Sequence, residues 1–293
     1  MPLAGRALTG SSLPYFDQLL QGLERGDPDL RRCFGRHVHW GWWEETARSR
    51  GAPPGPVEFA AAAEALCQRL LDQADIRPGH RVLDVGCGFG GTVATLNGQL
   101  ANLRISGLNL DPRQLAVARA QVEPVNGNVI AWIEGDACAL PFADASQDVV
   151  LAVECIFHFP SRGAFLAEAA RVLRPGGRLV LSDFVPIWPL AQIWRRWRPG
   201  AAVNRTYGPV DCSWDRRRYL REAPRRGLWP EIDRDITANT LPTYPVVRQL
   251  FAAMDAPQAV QDTAVLERLS RWGVLRYRIL GFRRAAMADR TAR

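Results

Sequence analysis

Arg81-Val-Leu-Asp84-Val-Gly86-Cys87-Gly88-Phe-Gly90-Gly91-Thr-Val-Ala-Thr-Leu96 is the stretch on which the fold of this chain turns. A short apolar run ends in an acid, crosses several glycines and resumes with helix-like spacing, which reads as strand, tight turn and helix. From Gly86 to Gly90 the backbone is bare enough for a ligand to lie against it. Gly86, Gly88 and Gly91 also satisfy the G-x-G-x-x-G spacing of dinucleotide sites, and Asp111 follows about 20 residues later. A third reading is a plain strand-to-helix turn that uses glycine for positive φ. The loop alone leaves all three open.

Outward from this loop the pattern alternates. Arg104–Asn109 reads as a strand and Pro112–Val122 as a helix, with Asp111 as its N-cap. Val129–Ile133 and Asp148–Glu154 read as strands, Gly163–Leu173 as a helix, and Arg178–Phe184 as a strand after the turn Pro175-Gly-Gly177. This rhythm predicts a parallel sheet with helices on both faces and ligands beyond the carboxyl ends of its strands. Upstream, Val57–Ala74 has helical spacing, and a Pro/Gly break from Gly51 to Pro56 separates it from an N-terminal arm. In that arm Leu13 to Leu30 reads as one helix. Downstream, Arg216–Arg226 reads as a helix and Glu231–Thr237 as a strand. Thr243–Leu269 is helical around Pro257, and Gly273–Gly281 alternates as a last strand.

The composition narrows the chemistry. The net charge of +7 comes from arginine alone, because the chain contains no lysine. That excludes a Walker phosphate loop and lysine Schiff-base chemistry. Cys33, Cys67, Cys87, Cys138, Cys155 and Cys212 are scattered without zinc spacing, as suits reduced thiols of a cytoplasmic protein, and no metal site is expected. No apolar run is long enough to span a bilayer, and no signal-peptide core is seen. The arginines form no long tract, and no nucleic-acid motif accompanies them, so nucleic acid is not expected as a partner.

The motifs decide between the readings of the glycine loop. Asp84-x-Gly86-x-Gly88-x-Gly90, then Gly107-Leu-Asn109-Leu110-Asp111, Glu134-Gly-Asp136-Ala137, Gln147-Asp148-Val-Val-Leu and Leu173-Arg-Pro-Gly-Gly-Arg-Leu-Val-Leu-Ser-Asp183 follow in order over residues 79–185. This order resembles class I S-adenosylmethionine-dependent methyltransferases, in particular the branch acting on sterols, tocopherols and natural products. The resemblance implies a doubly wound, seven-stranded, mostly parallel α/β sheet of Rossmann-like type, with a helical arm and helical lid insertions. It also implies S-adenosylmethionine as cosubstrate. By that likeness the donor lies against Asp84, Gly86, Cys87, Gly88, Gly90 and Leu110, with Asp136 and Ala137 at its adenine. Asn109 stands where the family has an acid for the ribose hydroxyls; an amide still bonds a hydroxyl but brings no charge.

The same resemblance places Glu154 and His158 beside the donor methyl and the acceptor. If the turn between them is helical, their spacing puts both on one face. A histidine there is suited to take a proton or to hold an acceptor. The aromatic segment His37-Val-His39-Trp40-Gly41-Trp42-Trp43 resembles the family's arm over the methionine end of the donor, so Trp40 and Gly41 are candidate donor contacts, with Glu154. Tyr15, His39, Trp188, Trp194, Tyr207 and Tyr244 are candidates for the acceptor. The stripe Trp188–Trp197, aromatic and basic together, also suits a membrane surface.

The expected organisation is an arm over 1–56, a donor-binding core over 57–185, an acceptor-binding lid with the sixth strand over 186–272, and the last strand and tail over 273–293. The expected function is methylation of a small amphipathic molecule at carbon or oxygen. N-methylation of a small amine caged by aromatics is the enzymatic rival. A donor-binding protein without catalysis is the rival from another class. The acceptor's identity and the oligomeric state are not legible.

Overall fold

The computed structural model describes residues 13–45, 54–197 and 201–286. Part of the Gly51–Pro56 break and the tail past residue 286 lie outside the described residues. Strands β1 (Arg81–Val85), β2 (Arg104–Asn109), β3 (Val129–Glu134), β4 (Gln147–Val153), β5 (Leu173–Pro186), β6 (Leu228–Asp235) and β7 (Leu275–Arg284) form one sheet. Its order is β3-β2-β1-β4-β5-β7-β6. The first five strands pair in parallel, and β7 inserts antiparallel between β5 and β6. β1 and β4 are apolar and buried along nearly their whole length, as strands covered on both faces must be.

Alternation along the strands divides the core. Val82, Val149, Leu151, Val180 and Ile279 face Leu66 and Leu70 of α3 (Pro56–Ala74), Val93 and Leu96 of α4 (Gly91–Gln99), and Leu115 of α5 (Pro112–Gln121). Leu83, Val150, Leu179, Leu181 and Leu280 face the other way, onto Phe165, Leu166 and Ala169 of α6 (Arg162–Val172). Asp111 caps α5 through Arg113 N–H, as its sequence position predicts.

Several expected boundaries move. The arm holds two helices, α1 (Pro14–Glu24) and α2 (Pro28–Phe34), where one is expected. Gly26 takes φ +77°, Asp27 caps the backbone N–H groups of Asp29 and Leu30, and Pro28 opens the new helix. A third apolar cluster follows, in which Phe16, Leu19, Leu30 and Phe59 meet Phe89 and Leu250. β5 begins earlier than expected, at Leu173; the Pro175-Gly-Gly177 turn loops out of register before Arg178 resumes pairing opposite Val149. The helical segment expected over 216–226 stops at Glu222, because Pro224 cannot donate into another turn, and a short 3-10 turn completes it. β6 starts at Leu228 and tolerates Pro230 as an edge strand, with a register shift there.

The remaining helices are α7 (Trp188–Trp197), α8 (Ala201–Tyr207), α9 (Arg216–Glu222), α10 (Thr237–Thr240), α11 (Thr243–Ala253) and α12 (Pro257–Arg271). Among the described residues no helix is long and apolar enough to cross a membrane.

Candidate active site

Strand order reverses between β1 and β4, and a cavity of about 1000 Å³ opens beyond their carboxyl ends. Gly86, at φ +71°, lies so close to the next strand's loop that an added Cβ would stand 2.7 Å from the Cβ of Cys155. Cys87 and Gly88 line the cavity beside it, with Asp84 beneath. Gly90 does not line it. Its φ of +81° and a would-be Cβ 2.8 Å from the Trp132 ring make it the glycine that lets α4 pack on β3. Gly91 and Thr92 take the lining position instead.

Asp84 is 1% exposed, and its Oδ2 has no hydrogen-bond partner. Burial pushes its carboxyl up to about 8. Asn109 lines the cavity, but its side chain is engaged locally: Oδ1 accepts from Asp111 N–H at 3.0 Å, and Nδ2 donates to Gln114 Oε1 at 3.0 Å. Leu110 and Ala137 line it too, and Asp136 is steadied by Cys138 N–H at 2.8 Å. An orphaned buried carboxylate, a backbone cradle that a Cβ would fill and a roomy cavity together fit a cationic nucleoside donor such as the motif order implies.

Glu154 closes the end of β4 at φ +52°, a left-handed conformation that costs a non-glycine residue roughly 1 kcal/mol or more. Several bonds hold it there. Its N–H donates to Ser182 Oγ at 3.0 Å; its Oε2 accepts from Trp40 N–H at 2.8 Å and from Tyr277 O–H at 2.5 Å. Burial pushes its carboxyl up to about 8 against the pull of those donors. The following turn, Ile156–His158, is 3-10 in form, so Glu154 and His158 do not share the helical face considered from their spacing. His158 Nδ1 lies 3.1 Å from the Pro209 carbonyl, which only accepts, so Nδ1 carries the hydrogen and Nε2 is the lone pair. Nε2 faces Tyr15 O–H at 3.4 Å. Burial holds the imidazole down to about 4, so it is neutral at ordinary pH.

The arm's histidines form a relay. His39 Nδ1 donates to the Trp40 carbonyl at 2.8 Å, leaving Nε2 as a lone pair 3.1 Å from His37 Nδ1; His37 Nε2 meets Glu64 Oε2 at 2.9 Å. The two nitrogens of His37 thus face His39 on one side and the Glu64 carboxyl on the other. The bond from His37 holds the Glu64 carboxyl down to about 2, and burial followed by the His37 charge lowers His39 to about 3.

A second, apolar chamber of about 110 Å³ shares Tyr15, His39, Glu154, Phe157 and His158 with the first. Its far wall is Leu30, Phe34, Phe59, Leu250, Phe251 and Met254. Tyr207 lines it, with its hydroxyl bonded to Thr263 Oγ1 at 2.6 Å, and Trp194 lines the larger cavity. Besides Gly90, four candidates fall elsewhere than the sequence suggested. Trp40 borders the apolar chamber, not the donor cavity. Gly41 borders neither; its would-be Cβ lies 2.6 Å from Ala62 Cβ. Tyr244 sits behind Trp40 with its hydroxyl on Ser270, and Trp188 is 52% exposed outside both chambers.

Tyr277, Pro209, Arg162 and Glu64 were not singled out in the sequence, because their partners lie far along the chain. Asn239 also acquires a role, clamping the Trp43 backbone through its side chain and carbonyl.

The methyltransferase domain family matches residues 83–181. Methyltransferase GfsG of Streptomyces halstedii is 38% identical over 157 residues, 53% of this chain and 54% of that protein, so the match spans about half of its length. The 27-O-demethylrifamycin SV methyltransferase of Amycolatopsis mediterranei is 32% identical over 237 residues, 79% of this chain and 80% of that one. The geranyl diphosphate C-methyltransferase of Streptomyces coelicolor, solved with Mg2+, geranyl diphosphate and S-adenosyl-L-homocysteine, shares the fold with a TM-score of 0.68 at 17% identity, over 92% of this chain and 98% of that one.

Proposed function

The chain belongs to the S-adenosylmethionine-dependent class I methyltransferase family, and on that footing we propose that it methylates a hydroxyl oxygen on a largely apolar small molecule. One observation carries the reading: the two chambers meet at His158, whose Nε2 lone pair stands free of any backbone donor while Nδ1–H is tied to the Pro209 carbonyl. A relative that matches 79% of the chain is named for an oxygen acceptor, which supports the same choice.

When bound, S-adenosylmethionine supplies an electrophilic methyl group on a sulfonium. Asp84 and Glu154 are the acidic side chains that would answer the donor's positive charge, and the Gly86–Gly88 backbone would cradle it. Asp136 and Ala137 would hold the adenine, and Asn109 with Leu110 would border the ribose side. Phe157, Phe184, Trp40 and Tyr15 would shield the junction from water. A hydroxyl becomes acidic only as its new bond to carbon forms, so a neutral imidazole suffices as the base. His158 Nε2 would take that proton, with Tyr15 O–H yielding its place to the acceptor hydroxyl.

The test is methyl incorporation from labelled donor into a panel of apolar alcohols, phenols and small amines, with donor affinity followed by calorimetry. Incorporation into hydroxyl acceptors that His158→Ala abolishes, at unchanged donor affinity, is the expected result. Transfer to amines alone, surviving that substitution, would favour the N-methylation reading. Donor binding without transfer to any acceptor would leave the non-catalytic reading.

A further inference from the structure

We infer that Arg162 is a positioning residue for His158, fixing which imidazole nitrogen faces the acceptor by locking the loop that carries the Pro209 carbonyl. The inference rests on His158 being the base of the proposed reaction. Arg162 is the first residue of α6, and its guanidinium is completely buried. Nε and Nη2 donate to the Asp183 carboxylate of β5 at 3.1–3.2 Å, and Nε also reaches Tyr219 O–H at 3.0 Å. Tyr219 in turn donates to Asp183 at 2.6 Å. The remaining nitrogen, Nη1, turns the other way: it pairs with Asp211 Oδ2 at 2.9 Å and also donates to the Asp211 carbonyl.

Asp211 belongs to the loop that follows α8. Its N–H donates to the Phe157 carbonyl at 2.8 Å, one residue before His158. Two residues earlier the same loop presents Pro209, whose carbonyl receives His158 Nδ1–H at 3.1 Å. The loop is therefore bonded at both ends of a short span: to the sheet through Arg162, and to the catalytic turn through Phe157 and His158. A guanidinium suits this task because its planar fork holds two carboxylates and a carbonyl at once, which an ammonium's point charge does not. Burying it is costly unless every donor is used, and here each nitrogen has a partner. Without the fork, Asp211 loses its tie to the sheet and keeps the backbone bond to Phe157; Pro209 can then withdraw, and the imidazole can place a hydrogen on Nε2. That tautomer offers the acceptor a donor where a base is needed.

The charge of Arg162 also bears on His158. It is the charged group that opposes imidazolium formation there, while Tyr15 faces Nε2 and Glu154 precedes the turn. Geometry and charge are separable by substitution: Arg162→Lys retains the charge and loses the fork, and Arg162→Met loses both.

The experiment joins steady-state kinetics over pH to nitrogen-15 NMR of histidine-labelled protein, with His158 assigned by its disappearance in His158→Gln. In the parent protein His158 is expected as the Nδ1–H tautomer. Both Arg162 variants are expected to show a mixture or the Nε2–H form, with kcat lower by about 100-fold and with donor affinity and acceptor KM within about threefold of the parent. The acid limb of the rate profile is expected to move upward in Arg162→Met and to stay in Arg162→Lys. Should the Met variant fail to fold, Asp211→Ala tests the same link from the half-exposed end of the ion pair, with a smaller fall in kcat and the same tautomer change.

A folded variant that keeps the Nδ1–H tautomer, the parent rate profile and kcat would overturn the inference. So would a loss confined to thermal stability or donor affinity. The tautomer readout needs no turnover, so it stands apart from the question of whether His158 is the base at all.

Discussion

The two halves of the cleft, the glycine-loop side where we place the donor and the His158 side where we place the acceptor, are built by opposite means. On the donor side, Asp84 stands on β1, and Gly86, Gly88, Leu110, Asp136 and Ala137 come from loops that directly follow β1, β2 and β3, neighbours in sequence and in the sheet. On the acceptor side, Tyr15, His39, His158, Tyr207 and Pro209 arrive from the arm, the turn after β4 and the lid. Tyr15 meets His158 across 143 positions, and Tyr277 meets Glu154 across 123. Where a parallel sheet fixes loop geometry, spacing alone specifies a site; where side chains converge from separate segments, it does not.

This contrast can be broken at either half. His158→Ala removes the residue on which the acceptor half depends and is expected to lower kcat by about 10²–10⁴-fold with donor affinity unchanged. A variant that loses donor affinity instead would show that the halves are not separable. Gly86→Ala probes the donor half, where a side chain must accept φ +71° and a contact of 2.7 Å with Cys155. A cost of about 1–3 kcal/mol is expected, visible in denaturant unfolding and as weaker donor binding. Tolerance of alanine there would mean that the cradle is not backbone-limited.

Proton linkage sharpens the comparison on the donor side. Asp84, raised by burial from 3.8 to about 8, is mostly protonated at pH 7 in the free protein. A cationic ligand favours its ionised form, so binding lowers its pKa and releases a proton. Affinity should therefore rise with pH until about 8. Calorimetry in buffers of different ionisation enthalpy should report release of about one proton from Asp84 at pH 7, on top of the share from Glu154. Asp84→Asn should remove that share, leaving only what Glu154 contributes. Flat affinity and no buffer dependence would argue that Asp84 does not meet the donor's charge.

The smallest effect separates two tryptophans. Trp194 lines the larger cavity, whereas Trp188 is exposed outside it. Trp194→Ala is expected to raise acceptor KM by about tenfold, the scale of one lost aromatic contact, and Trp188→Ala to leave it within twofold. Equal effects would place the acceptor across both faces of α7.

The alternation of strands and helices, the glycine loop and the ordered motifs were legible because local backbone requirements leave a mark at fixed spacing. Asp111 as a cap is such a case. Gly90 shows the limit: its place in the motif is plain, but only the Trp132 ring above it reveals that it serves packing. Trp40 and Gly41 were assigned to the donor by family likeness, and the structure turns them toward the apolar chamber and α3. Tyr244 and Trp188 carried no mark distinguishing a lining aromatic from a buried or exposed one.

By itself the sequence determined a mostly parallel α/β sheet with a last strand near its end, a glycine loop after β1, and a histidine just past the end of β4. Only the tertiary structure decided what that histidine touches. Its tautomer is set by a carbonyl from the lid, that lid is held by a guanidinium on α6, and Glu154 is held by a backbone N–H from the arm and a hydroxyl from β7. A hydrogen bond is a relation in space between two groups, and sequence spacing records it only when both lie within one local element.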